Sequence, residues 1–527
     1  MITEKIKQYW NEKPLFSIII IALVLRILAA FFSQGYGMHD DHFLVIEASQ
    51  SWADGTDYNN WLPKSQKALY PGVEPIPSGH SLFYVGVHYL IFTCFKCIGI
   101  VDPKIKMLLI RLIHALFSLI VVVLGYKVTL KLTNEKYARQ AGLLLATFWV
   151  WPFLSVHNLV EVACIPFLFL GCWYLLIAES KRHYLWYFLL AGLMTGIAFS
   201  IRFQSAFFVM GMGLYLLISK QFKAFVFFTT GVIVSIIAIQ GIVDMIIWQR
   251  PFAELTEYVR YNIEHKYDYG SNQLEMYFLL LLGLIVPPIG FFFFFGFLRT
   301  WRKYAILFIP VMLFLAFHLY FPNKQERFIL PIFPFYIMLG VIGWNEWVEK
   351  STFWKKNQGL LKGCWVFFWV INLLLLSVFT LSYSKKSRVE AMYYFYKKDD
   401  VKQILVEDSN RDGVIMLPNF YSGQWMVMYQ LAKTEKADSS LFGQIKSNEP
   451  YYKLLYDKQY FLLHPEHYPK YVLFLGDKRL EERVASLKPV FPNLTLEKQA
   501  EPGFIDKVLY KLNSVNKNET IFIYKTN

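Results

Sequence analysis

From Leu15 to Tyr383 the chain is written in apolar runs separated by short polar or Pro/Gly-bearing breaks. Most runs approach the ~20 residues that cross a bilayer as a helix. They cover 15 to 32, 82 to 101, 107 to 126, 140 to 156, 162 to 178, 184 to 200, 203 to 219, 224 to 244, 276 to 298, 304 to 321, 328 to 345 and 363 to 383. Only intra-helical hydrogen bonds satisfy a lone backbone segment in hydrocarbon, so each run predicts a helix. Beyond Tyr383 the pattern changes. Short β-rich runs such as Gly413 to Leu417, Tyr471 to Leu475 and Thr520 to Tyr524 sit in polar sequence and predict strands. The chain therefore divides into a helical membrane domain, 1–383, and a soluble α/β domain, 384–527.

Composition agrees. Of 527 residues, 55% are hydrophobic, 18% aromatic and 17% charged, against a charged share of roughly one quarter in soluble domains. A wholly soluble fold is excluded. The net charge of +14 could point to nucleic acid, but Lys and Arg gather at the ends of apolar runs, as membrane flanks do. The five cysteines (94, 97, 164, 172 and 364) all lie in or beside apolar runs. They imply no disulfide framework, and Cys94 and Cys97 read as small apolar residues.

Charge asymmetry sets an expected topology. The first run follows Lys5, Lys7 and Lys13 and carries no small-residue cleavage pattern, so it reads as a retained span with the N-terminus cytoplasmic. Basic clusters at Lys127/Lys131/Lys136/Arg139, Lys181/Arg182, Lys220/Lys223, Arg299/Arg302/Lys303 and Lys350/Lys355/Lys356/Lys362 are spaced to share that face. Only one net crossing fits between Gly79 and Lys127, so either 82–101 or 107–126 is re-entrant or interfacial. The expectation is a polytopic protein of 11 to 12 hydrophobic helices, its C-terminal domain outside a bacterial inner membrane or the endoplasmic reticulum.

The outer polar segments concentrate titratable groups. His39-Asp40-Asp41-His42 follows the first span directly. A carboxylate there could take a proton from a hydroxyl nucleophile or bind a metal, or it could simply cap a helix. Trp52, Tyr58, Trp61 and Tyr70 downstream read mainly as interfacial anchors. Between two later runs stands Phe321-Pro322-Asn323-Lys324-Gln325-Glu326-Arg327-Phe328. Its cations could bind a lipid phosphate or snorkel to the headgroups. Asn158, Glu161, Arg202, Gln204 and Asp244 are polar residues at membrane edges, where burial is costly and suggests function.

These residues resemble glycosyltransferase family 22, the GT-C-fold mannosyltransferases that use dolichyl-phosphate mannose. The stretch Asn323 to Pro334 is similar to that family's H-K-E-x-R-F, L-P and second proline, with Asn323 in place of the first histidine. His39 and Asp41 match its H-P-D-E, where Asp40 replaces Pro and His42 replaces Glu. Asn158-x-x-Glu161 resembles its N-x-x-E, Arg202 its basic membrane-edge residue, and Asp244 to Asn262, through Arg250, Phe252 and Tyr258, its D…Y-N loop. The order holds over roughly residues 15 to 345.

The resemblance implies a GT-C membrane glycosyltransferase that moves a sugar, mannose foremost, from a polyprenyl-phosphate donor to a glycan or glycolipid hydroxyl outside the membrane, with inversion. Asp41, with Asp40 beside it, would be the base; Lys324, Arg327 and Arg202 would hold the donor phosphate. His39, His42, Asn158, Glu161, Asp244 and Glu326 would support the site. No cofactor is required, although the paired acids are compatible with a divalent cation. Alternatives are a protein O-mannosyltransferase or aminoarabinose-type transferase of the same fold and, further off, a transporter or flippase, for which the sequence lacks internal repeats.

Overall fold

The computed structural model describes residues 2–178, 184–268, 275–410, 415–432, 443–512 and 518–526. The chain falls into two compact units. The first comprises Met1–Phe31, Trp61–Gly86 and Ile110–Leu381, and the second Phe32–Asn60, Val87–Leu109 and Ser382–Asn527. Among the described residues, seven helices are long and apolar enough to cross a membrane: Pro14–Phe32, Pro103–Leu132, Val160–Ala178, Tyr184–Ile201, Phe222–Trp248, Glu326–Lys350 and Gln358–Thr380. Leu82–Cys97, Phe203–Ile218 and Ala305–Tyr320 are shorter apolar helices. The basic pair Lys181/Arg182 lies outside the described residues.

Within the first unit, small residues let helices approach closely. A Cβ on Gly192 would run into the Phe228 carbonyl oxygen, and one on Gly231 into that of Leu189. This is the packing device of bundles in lipid, where no hydrophobic force joins one helix to another. Arg26, buried within the first span, is fully engaged: Nε donates to Ser118 Oγ (2.8 Å), Nη1 to Ala146 O (3.2 Å) and Nη2 to Leu145 O (3.3 Å). It thus neutralises the carbonyl end of helix Glu135–Thr147.

That helix end corrects one expected span. The run 140–156 is not one helix but two, Glu135–Thr147 and Trp151–Val156. Phe148 turns to extended backbone (ψ 132), and Pro152 has no N–H to give a continuing helix. Asn372 takes over the groups set free: Nδ2 donates to Thr147 O (2.9 Å) and Oδ1 accepts from Trp149 N (3.0 Å). The run 276–298 is likewise broken, into Met276–Leu284 and Ile289–Arg299 bent by 115°, with the donorless Pro287 and Pro288 between them. The run 328–345 begins as a 3₁₀ turn, Glu326–Ile332, and becomes α-helix only at Phe333–Lys350.

The second unit contains a mixed sheet. Its strands are β1 (Gln403–Asp408), β2 (Val427–Ala432), β3 (Ile445–Asn448), β4 (Tyr452–Leu455), β5 (Tyr471–Leu475), β6 (Thr495–Ala500) and β7 (Ile521–Lys525). They run in the order β3-β4-β2-β1-β5-β7-β6. The central ladders β4-β2-β1-β5 are parallel, and β3, β7 and β6 add antiparallel edges. β5 is buried along its whole length, as an apolar strand covered on both faces must be. The sequence expectations at 471–475 and 520–524 correspond to β5 and β7. Of Gly413 to Leu417, residues 413 and 414 lie outside the described residues, and 415 to 417 form no strand.

Candidate active site

In the first unit the chain leaves helix Tyr184–Ile201 through Arg202, whose extended backbone (φ −142°, ψ 108°) redirects it into the 3₁₀ turn Phe203–Ser205. The Arg202 side chain stays buried, at 6% exposure. Its Nη1 donates to Glu161 Oε1 at 2.7 Å, and its guanidinium lies 5.0 Å from the Phe328 ring centroid. Arg327 Nε stands 3.5 Å from the same Glu161 oxygen and donates to Gln325 Oε1 at 2.9 Å. One carboxylate, 1% exposed, therefore lies against two guanidinium groups. Among the described residues, Nε and Nη2 of Arg202 are buried with no hydrogen-bond partner. Leaving a buried donor unpaired costs about 1–3 kcal/mol, and more for a charged group. An anion accepting from both nitrogens would remove that cost.

The other expected residues of this unit take different positions. Lys324, 6% exposed, donates to Phe321 O at 2.8 Å, and burial pushes its ammonium below the ordinary lysine range. Asn158 is buried in the break between helices Trp151–Val156 and Val160–Ala163. Asp244 acts as a tie: Oδ2 accepts from Glu254 N (3.0 Å) at the start of helix Ala253–Glu264. Glu254, which the sequence did not single out, gathers Gly79 N (2.7 Å), His80 N (3.2 Å), Ser78 Oγ (3.0 Å) and Trp248 Nε1 (2.9 Å). Burial raises its carboxyl to about 7. Asp244 thus secures loop and helix, while Glu326 is exposed.

His39, Asp40, Asp41 and His42 belong to the second unit. Met38 is extended (ψ 152°) and leads into the short helix His39–Asp41, continued by the π-helical turn His42–Glu47. Asp41 is 5% exposed, whereas Asp40 is exposed. His42 is fully buried between the rings of Tyr36 (4.5 Å) and Tyr421 (5.5 Å), with Nε2 3.6 Å from Glu47 Oε1. Burial holds its imidazole well below the usual range, so His42 supports the turn as a neutral ring. The His39 ring lies 4.4 Å from that of Phe43, tilted by 44°.

Glu47 is the acid that sequence reasoning missed here. Its Oε1 accepts from Phe420 N at 3.0 Å. Burial pushes its carboxyl up to about 8, against the backbone hydrogen bonds from Phe420 and Asn419. A carboxyl raised in the folded state holds its proton where the unfolded chain ionises. The stability it contributes is present below the ordinary carboxylate range and lost as pH rises towards about 8. Thermal unfolding in detergent should therefore show stability falling over that window. Glu47→Gln is expected to flatten the slope, and an unchanged slope would contradict the assignment.

One His/Glu group among the described residues has metal-ligand spacing: His464, Glu466 and His467. Both histidines are already engaged, His464 Nδ1 at 3.3 Å from Glu466 Oε1 and His467 Nδ1 at 2.6 Å from the Tyr460 hydroxyl outside the group.

A model of the Alg9-like mannosyltransferase family matches residues 17–428. The chain belongs to that family. No curated protein sequence matches this Alg9-like chain. Its fold is similar to ArnT from Cupriavidus metallidurans bound to undecaprenyl phosphate (TM-score 0.60, 11% identity, 96% of this chain and 97% of that one). It is also similar to the apo state of ArnT (0.60, 12%, 96% and 97%). The Archaeoglobus fulgidus oligosaccharyltransferase in its apo form follows at 0.51, with 12% identity over 88% of this chain and 70% of that one. The architecture is the expected GT-C fold, and this Alg9-like protein is a multi-pass membrane glycosyltransferase.

Proposed function

We propose that the chain transfers a sugar, mannose foremost, from a polyprenyl-phosphate carrier to a hydroxyl of a glycan or glycolipid on the extracytoplasmic face, with the N-terminus in the cytoplasm. The observation that carries this reading is the Arg202 guanidinium, buried beside Arg327 with two nitrogens that find no partner among the described residues. A phosphodiester departing from the anomeric carbon gains negative charge, and preorganised donors in a water-poor site stabilise it by several kcal/mol. Arg327 and Lys324 add charge to the same phosphate. Asp41, buried on a constrained turn, orients the acceptor hydroxyl and takes its proton as the oxygen attacks.

The steps balance without a further reactant. The C–O bond to the carrier phosphate breaks, the new glycosidic C–O bond forms on the opposite face, and the carrier leaves as a monophosphate. One displacement inverts the anomeric centre, so a β-linked donor gives an α-glycoside. The chemistry calls for no cofactor. The ArnT complex with undecaprenyl phosphate supports the choice of carrier class, and the family match supports mannose.

The test is donor selection. The purified chain in nanodiscs, given a membrane glycolipid extract, should consume polyprenyl-phosphate mannose and leave GDP-mannose untouched. Consumption of the nucleotide sugar with the lipid-linked one intact would overturn the reading. Preferential use of a lipid-linked aminoarabinose would favour the aminoarabinose-type alternative.

A further inference from the structure

The segment leading into the His39–Asp41 helix is tied to the first residues after Leu381 within the second unit. Ser33 Oγ donates to Ser382 O at 3.2 Å, Ser384 N donates to Gln34 O at 3.0 Å, and Gly35 forms an isolated parallel bridge with Ser384. Only glycine fits at position 35: its φ is +80°, and a Cβ would run into the Ser384 carbonyl oxygen. The next residue, Lys385, has left-handed backbone (φ 51°) despite carrying a side chain. Asp506 holds it there by accepting from Lys385 N and Lys386 N, each at 3.2 Å.

The Lys385 side chain crosses to the acid-bearing segment. Nζ donates to Tyr36 O (3.2 Å) and Gly37 O (2.9 Å) and lies 4.6 Å from the Tyr36 ring centroid. The ammonium faces Arg388 and the acids Asp506, Asp40 and Asp41, and its charge is felt at His39 and His42. Desolvation, and to a lesser degree Arg388, lower it to about 8, with the three acids opposing. A lysine serving only as a membrane flank would direct its charge to lipid headgroups. This one spends its donors on two carbonyls of a single turn.

We propose that Lys385 is a positioning residue for Asp41: it clamps the Tyr36–Gly37 strap that leads into the Asp41 helix and sets a positive charge facing that acid. The proposal rests on the reading of Asp41 as the base. The geometry alone identifies the clamp; the two contributions, hydrogen bonding and charge, are separable by substitution.

The experiment compares Lys385→Met, Lys385→Gln and Lys385→Arg with Asp41→Asn in nanodisc transfer assays over a range of pH, with thermal unfolding of each variant. Lys385→Met should lower kcat by about 10²-fold while KM for the donor stays within about threefold. The acid limb of its kcat profile should move up by about one pH unit, because removing a nearby cation raises a carboxylate. Arg should restore most of kcat and the original limb. Gln, which keeps a donor without the charge, should fold normally and still show the moved limb, so the test survives if the Met variant unfolds. An inactive Asp41→Asn beside a folded Gln variant with natural kcat and an unmoved limb would overturn the role of Lys385 and leave Asp41 as the base. An active Asp41→Asn would overturn both.

Discussion

Asp41→Asn is expected to lower kcat by about 10²- to 10⁴-fold, the range lost when a positioned general base is removed, with KM for the lipid donor nearly unchanged. The asparagine is isosteric, so the His39–Asp41 helix and the stacked His42 should keep their places. Thermal unfolding should then move little. Asp40→Asn is the internal control: that side chain is exposed where Asp41 is buried, and its loss should cost far less. Equal loss from the two substitutions would show that paired charge, not a single base, matters. Full activity in Asp41→Asn with intact folding would remove Asp41 from the chemistry.

Substitution of Arg202 should have an effect of similar size with a different signature. Arg202→Lys keeps the charge but not the planar fork that presents several N–H groups to one anion, and should reduce kcat/KM for the donor by roughly 10- to 10²-fold. Arg202→Met should abolish transfer and also destabilise, because Glu161, 1% exposed, would lose its 2.7 Å partner. Breaking one side of a buried pair costs about 3–5 kcal/mol, although Arg327 at 3.5 Å softens this. The double variant Arg202→Met with Glu161→Gln is therefore the informative one. It should recover stability and remain inactive. Recovered activity in the double variant would make the pair purely architectural.

Much of the fold is legible in the sequence. The spacing of apolar runs predicts the bundle, since lipid imposes helices on the backbone whatever the fold. The Lys324-to-Pro334 stretch stands out through its resemblance to the H-K-E-x-R-F and L-P pattern of family 22, whereas its cations alone leave phosphate binding and snorkelling open. Local sequence does not show the break at Phe148, whose exposed backbone groups are taken up by Asn372, more than 200 residues downstream. Asp244 reads as a site residue by its cost in the membrane, and in the structure it ties the Ala253–Glu264 helix, a contact to a residue that local sequence does not single out. Lys385 was hidden for the opposite reason: directly after a span it reads as an ordinary flank, and only its left-handed backbone and its bonds to Tyr36 and Gly37 mark it out. Glu47 sits in an apolar stretch that reads as core, and its partner, the Phe420 amide, is remote in sequence.

Equilibrium binding tests, without knowledge of the acceptor, whether the buried Arg202 and half-buried Arg327 guanidinium groups hold a lipid phosphate. Undecaprenyl phosphate and the uncharged alcohol undecaprenol should be titrated against the chain in nanodiscs. The phosphate is expected to bind at least about 10²-fold more tightly than the alcohol, a difference near 2.7 kcal/mol, and the preference should vanish in the Arg202→Met, Glu161→Gln double variant. Equal binding of the two lipids, or a preference untouched by that substitution, would contradict that role.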